Sequence, residues 1–121
     1  MNKLSPSLLS ADFTHLAEAV EVMEKNNVPY LHVDVMDGVF VPNISIGVPV
    51  VKSLRKITDL VLDVHLMIID PERYIEAFAN AGADIINIHY EACRKCKDTL
   101  IKIRQLGKSP AITIKPKTDW K

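Results

Sequence analysis

Five short runs, at positions 4–9, 30–36, 61–67, 84–89 and 111–114, all but the first containing β-branched residues, alternate with amphipathic stretches along the chain. The runs are too apolar on both faces for a half-solvated antiparallel sheet, so parallel strands with helices outside are expected. Helices are predicted over about 14–25, with Leu16, Ala17, Val20 and Met23 on one face, over about 49–56, after Asp70-Pro71-Glu72, and over about 94–106. Asp12 or Thr14 is placed to cap the first and Asp70 the third, with Pro49 and Pro71 in first turns and Gly107 closing the fourth. An open doubly wound sheet would carry a Gly-rich turn after its first strand, where this chain has Ser5-Pro6-Ser7-Leu8-Leu9-Ser10. Polar groups at successive strand ends favour a barrel.

A complete eight-stranded barrel takes about 250 residues. With 121 residues the chain is expected to be the N-terminal part of one such domain, spanning 1–121 with about five parallel strands and four helices. Near its end, Thr118 or Asp119 looks ready to cap a fifth helix.

Polar side chains stand in the second and third runs where a core wants Val. The two-residue period of a strand points His32, Asp34 and Met36 together, and likewise Asp63, His65 and Met67. Two imidazoles and a carboxylate converging from neighbouring strand ends suit a divalent transition metal, and the same carboxylate can move a proton. Asp63, deeper on that face than His65, is placed to orient a ligand. His89 and Glu91 end the fourth run on one face, which leaves open whether they support the cluster, touch substrate or pair structurally. Asp37-Gly38 predicts a turn in which Asp37, and then Asn43, bond the loop backbone. His15, on a solvent-facing helix, is given no role.

Formal net charge is zero, with Lys and Arg scattered among acids, so nothing draws the chain to nucleic acid or an anionic membrane. A small-molecule partner is expected. No apolar stretch approaches the ~18 residues that span a bilayer, and the first residues lack a signal-peptide run, so a cytoplasmic location is expected. Cys93 and Cys96 form a lone C-x-x-C with no second pair to complete a zinc site, and two reduced thiols are expected.

Four ordered stretches resemble the ribulose-phosphate 3-epimerase family: Ser5 to Phe13, His32 to Asn43 (His32-Val33-Asp34-Val35-Met36-Asp37-Gly38 onward), Asp63-Val64-His65-Leu66-Met67, and His89-Tyr90-Glu91-Ala92 after Ala81-Gly82-Ala83-Asp84. The resemblance implies a (β/α)8 barrel interconverting D-ribulose 5-phosphate and D-xylulose 5-phosphate. By that resemblance Asp34 is the base acting at C3 and also a metal ligand, with His32 and His65 as the other metal ligands of this half. Ser7 and His65 would contact the sugar phosphate, and Met36 and Met67 would line the pocket near the reacting carbons. Zinc, manganese, iron or cobalt fits such a ligand set better than magnesium.

The family's second catalytic aspartate, which is also its fourth protein ligand, and its Gly-rich phosphate loops lie on later strands that this chain lacks. Losing them is expected to leave the isolated chain inactive or nearly so. The complete enzyme is expected to be a homo-oligomer. A non-catalytic half-barrel that pairs through its open edges is the alternative of another class, and a sister epimerase for allulose 6-phosphate is the nearest enzymatic rival. Related phosphate-sugar decarboxylases carry Lys in an Asp-x-Lys-x-x-Asp arrangement where this chain has His65, which argues for epimerisation.

Overall fold

The computed structural model describes residues 4–119. Its sheet runs β1 (Tyr30–Met36), β2 (Val61–Met67), β3 (Ile85–His89) and β4 (Ser109–Thr113), in that order and with every neighbouring pair parallel. The helices are α1 (Leu16–Lys25), α2 (Val48–Ile57), α3 (Ile75–Ala81) and α4 (Cys96–Gln105). This is the α/β architecture expected of part of a barrel. It follows from side-chain period: Leu31, Val33, Leu62, Val64, Leu66, Ile86 and Ile88 alternate along three strands and are all fully buried. They form one core with Val51 and Leu54 of α2, Ile75 and Phe78 of α3, and Ile103 of α4. Each such aliphatic side chain contributes about 1.5–3 kcal/mol relative to exposure.

The opposite faces of the same strands carry His32, Asp34, Asp63, His65, Asn87 and His89. Register brings them level, since Asp34 pairs with His65 and His32 with Asp63.

Three expectations are corrected. The first strand, predicted over 4–9, contracts to a single parallel bridge between Ser7 and His32, so the sheet has four extended strands. Pro6 accepts from His32 N at 2.9 Å but has no N–H with which to extend a ladder. The chain then turns into a 3-10 helix, Leu8–Ser10, capped by the Ser7 hydroxyl. Asp70 does not cap the third helix. At φ 48 it is left-handed rather than extended, makes no capping bond, and pairs instead with Arg94 Nε at 3.1 Å. A 3-10 turn, Pro71–Arg73, therefore precedes α3. Asp12, expected to cap the first helix, instead caps a 3-10 turn over Phe13–His15, accepting from Thr14 N at 3.0 Å, and α1 follows from Leu16 without a side-chain cap.

At the amino ends of the strands, Arg55 clasps three elements. Its guanidinium donates to the carbonyls of Gly82, Thr58 and Leu60 and to Asp84 Oδ2, which also accepts from Leu62 N. Gly82, at φ 113 after α3, lies so close that any Cβ there would collide with the Arg55 side chain. The clasp holds the strands whose far ends build the site. At the β4 edge Tyr90, Ile101 and Ile112 are exposed. No helix among the described residues is long and apolar enough to cross a membrane.

Candidate metal and proton-transfer site

Asp34 is the hub. Its Oδ1 lies 2.9 Å from His32 Nε2 and 3.0 Å from His65 Nδ1, and its Oδ2 accepts from Ser7 Oγ at 2.5 Å. Three residues from two neighbouring strands thus converge, with a ligand atom from each of His32, Asp34 and His65 within 4.8 Å of the others. Ser7 reaches the site through its bridge to His32, and its hydroxyl also accepts from Leu9 N. Met36 and Met67 pair in register at the carboxyl ends of β1 and β2, both half-buried.

Asp63 lies against His32. Its Oδ2 lies 2.8 Å from His32 Nδ1 and accepts from Ser5 Oγ at 3.2 Å. Hydrogen bonds that His32 donates to Asp34 and then to Asp63 outweigh burial and raise His32 to about 10. Burial acts to raise Asp34, but hydrogen bonds from His32, His65 and Ser7 overcome it and hold the carboxyl well below the usual range. Asp34 is therefore ionised at neutral pH.

The donor set fits a divalent ion. With Nδ1 directed at a carboxylate, His32 can keep its proton there and offer Nε2 to the cluster, the arrangement by which outer carboxylates orient metal-bound imidazoles. Two imidazole nitrogens and one carboxylate oxygen suit zinc, manganese, iron or cobalt.

His89 lies against the cluster. Its ring stacks on His65 at 4.8 Å between centroids, with Nε2 2.8 Å from His65 Nε2. Burial, then the neighbouring His65, pushes it below its ordinary value. Glu91 faces Lys115 N and Thr118 Oγ1 with one oxygen, and these hydrogen bonds, set against the upward effect of desolvation, bring it down to about 2. Thr118, expected as a helix cap, thus donates to Glu91.

Asp37 anchors its loop as predicted, accepting from Val39, Phe40 and Ile69 N–H groups, and Asn43 accepts from Ile44 N. Sequence reasoning missed Ser45, whose hydroxyl donates to Asp34 O at 2.7 Å and accepts from Met36 N at 2.9 Å, holding the end of β1. It also missed Phe40, which lies 5.0 Å from the His89 ring and 4.0 Å from Lys115 Nζ. Neither stands out in sequence, because both sit in a loop whose fold brings them back. The two cysteines are free thiols, with Cys93 pushed up by burial and by the Cys96 thiol beside it.

Four parallel strands flanked by helices, with a His-Asp-His group that could hold a metal ion, are compatible with part of a (β/α) barrel. The chain belongs to the ribulose-phosphate 3 epimerase family, whose profile matches residues 3–121. It is 49% identical over 118 residues to the ribulose-phosphate 3-epimerase of Bacillus subtilis, covering 98% of this chain and 54% of that protein. The Synechocystis ribulose-phosphate 3-epimerase is 49% identical over 117 residues, covering 95% of this chain and 51% of its own length. The chloroplastic Arabidopsis thaliana ribulose-5-phosphate-3-epimerase is 47% identical, covering 95% and 42% respectively. The chain spans about half the length of the curated relatives it matches.

Proposed function

We propose that this chain carries the first base and three metal ligands of an enzyme that interconverts D-ribulose 5-phosphate and D-xylulose 5-phosphate at C3. The observation that carries the reading is the convergence of His32 Nε2 and His65 Nδ1 on Asp34 Oδ1, in a chain of this family. Asp34, ionised at neutral pH and steadied by Ser7, accepts the C3 proton. His32, Asp34 and His65 hold one divalent ion, which when bound supplies positive charge beside the substrate oxygens and so favours the negative charge that proton loss creates. His65 also faces the substrate. Met36 and Met67 offer soft, nearly apolar surface that keeps water from the reacting carbons.

Inversion needs an acid on the opposite face of the carbon and an anchor for the phosphate. Both are assigned to the remainder of the barrel. The 121-residue chain alone is therefore expected to produce no xylulose 5-phosphate in a coupled assay, whereas the chain continued to family length turns over. In the full-length protein Asp34→Asn should lower turnover at least ~100-fold, the scale of a lost general base. It should also stop exchange with deuterated water of the C3 proton in the epimer that presents that proton to Asp34. Wild-type rates in that variant, or from the isolated 121 residues, would overturn the reading.

A further inference from the structure

His89 is a buried histidine that the proposed chemistry leaves idle, and one of its nitrogens is orphaned. The residue is 7% exposed, and Nδ1 has no hydrogen-bond partner among the described residues. That atom lies 3.5 Å from Glu91 Oε2. Glu91 is itself pinned from outside, since its other oxygen accepts from Lys115 N at 2.5 Å and Thr118 Oγ1 at 2.6 Å.

An imidazole that gives one nitrogen to an ion must carry its proton on the other, and that proton needs an acceptor. For His32 the acceptor is the Asp63 carboxylate. For His65 the nitrogen directed at the cluster is Nδ1, which leaves Nε2 to carry the proton, and His89 Nε2 stands 2.8 Å from it. An accepting Nε2 on His89 puts that residue's own proton on Nδ1, facing Glu91. Stacking at an interplanar angle of 22° and the Phe40 ring on His89 restrict any rotation that would break this order.

We infer that His89, backed by Glu91, is a positioning residue that holds His65 with its proton on Nε2 and Nδ1 turned to the metal site. The inference rests on the metal site proposed above. It also makes the two histidine ligands unequal, because His32 is supported by a charged acceptor and His65 by a neutral one. A change at the segment 115–118 reaches the site through Glu91.

The test uses Co2+ as probe, followed by its visible absorption, with ring-nitrogen NMR of the zinc-loaded full-length protein. His89→Phe keeps a stacked ring but removes the acceptor, and should weaken Co2+ binding about 10–100-fold and alter the absorption band. His89→Gln restores an acceptor oxygen and should recover most of that loss. In the parent protein the NMR spectrum should place the His65 proton on Nε2 and the His89 proton on Nδ1, a result that does not depend on whether the Phe variant folds. A His65 proton on Nδ1, or wild-type affinity and spectrum in His89→Phe, would overturn the inference and leave the metal site standing. Absence of Co2+ uptake by the parent protein would instead overturn the metal reading beneath it.

Discussion

Asp63→Asn separates two effects that the wild-type carboxylate exerts together. Its Oδ2 lies 2.8 Å from His32 Nδ1, while Asp34 Oδ1 lies 2.9 Å from His32 Nε2, and between them His32 is raised to about 10. An ion binding through Nε2 must displace a proton. At pH 7 the roughly three pH units separating ambient pH from that value oppose it by about 4 kcal/mol as an upper bound. Solvent trims this, because the His32 side chain is 21% exposed. Asn keeps an oxygen for the Nδ1 proton but removes the charge, exchanging a charge-assisted bond for a neutral one and weakening the metal-bound state by about 1 kcal/mol. The same change eases proton displacement by a comparable amount at low pH. Co2+ affinity measured by calorimetry against a competing chelator should therefore be close to wild type at pH 6.5 and fall toward about fivefold weaker only as pH passes through the His32 value of about 10. Buffers of different ionisation enthalpy should show fewer protons released by the variant near pH 9.5, where the lowered His32 is already partly deprotonated. A constant ratio of affinities across this range would refute the argument that Asp63 keeps the proton on His32.

The metal-free protein should have a stability maximum set by the same groups. Asp34 is lowered on folding, so its contribution is full above its unfolded value near 3.8 and is lost as pH falls below it, whereas His32 is raised, so its contribution is full below 6.5 and is lost as pH climbs through about 10. Urea midpoints should thus be highest between about pH 4 and 6.5, and a midpoint that rises steadily from 6.5 to 10 would contradict this. Gly82→Ala combines a left-handed backbone with a Cβ driven into Arg55, whose bonds tie α2 to β2 and β3. It should destabilise by about 2–4 kcal/mol in urea unfolding, and a loss under about 0.5 kcal/mol would show that the clasp yields freely.

Where side-chain period alone decides, sequence and structure agree closely. β1 and β2 begin and end at the predicted residues, because Leu31, Val33 and Val35 must face helices while His32, Asp34 and Met36 cannot. The same alternation in β2 made the His32, Asp34 and His65 group legible before any distance was known. Three features depended on contacts that local pattern does not record. Pro6 withholds the donor that a first strand needs. Asp70 is bent left-handed and paired with Arg94, so a residue type suited to capping cannot cap. His89 looked ambiguous because its role turns on which side chain lies above it in the neighbouring strand. β3 pairs Asn87, not His89, with His65, and only the ring's reach brings the two imidazoles together.

The central claim is that His32, Asp34 and His65 grip one ion. X-ray absorption at the zinc edge of the zinc-loaded protein tests it most directly, read together with metal stoichiometry in the parent and in a His32→Ala/His65→Ala variant. One zinc per chain is expected, with two imidazole nitrogens at about 2.0–2.1 Å beside carboxylate oxygen, and loss of that zinc in the variant. A bound zinc without imidazole scattering, or full uptake after both histidines are removed, would contradict it.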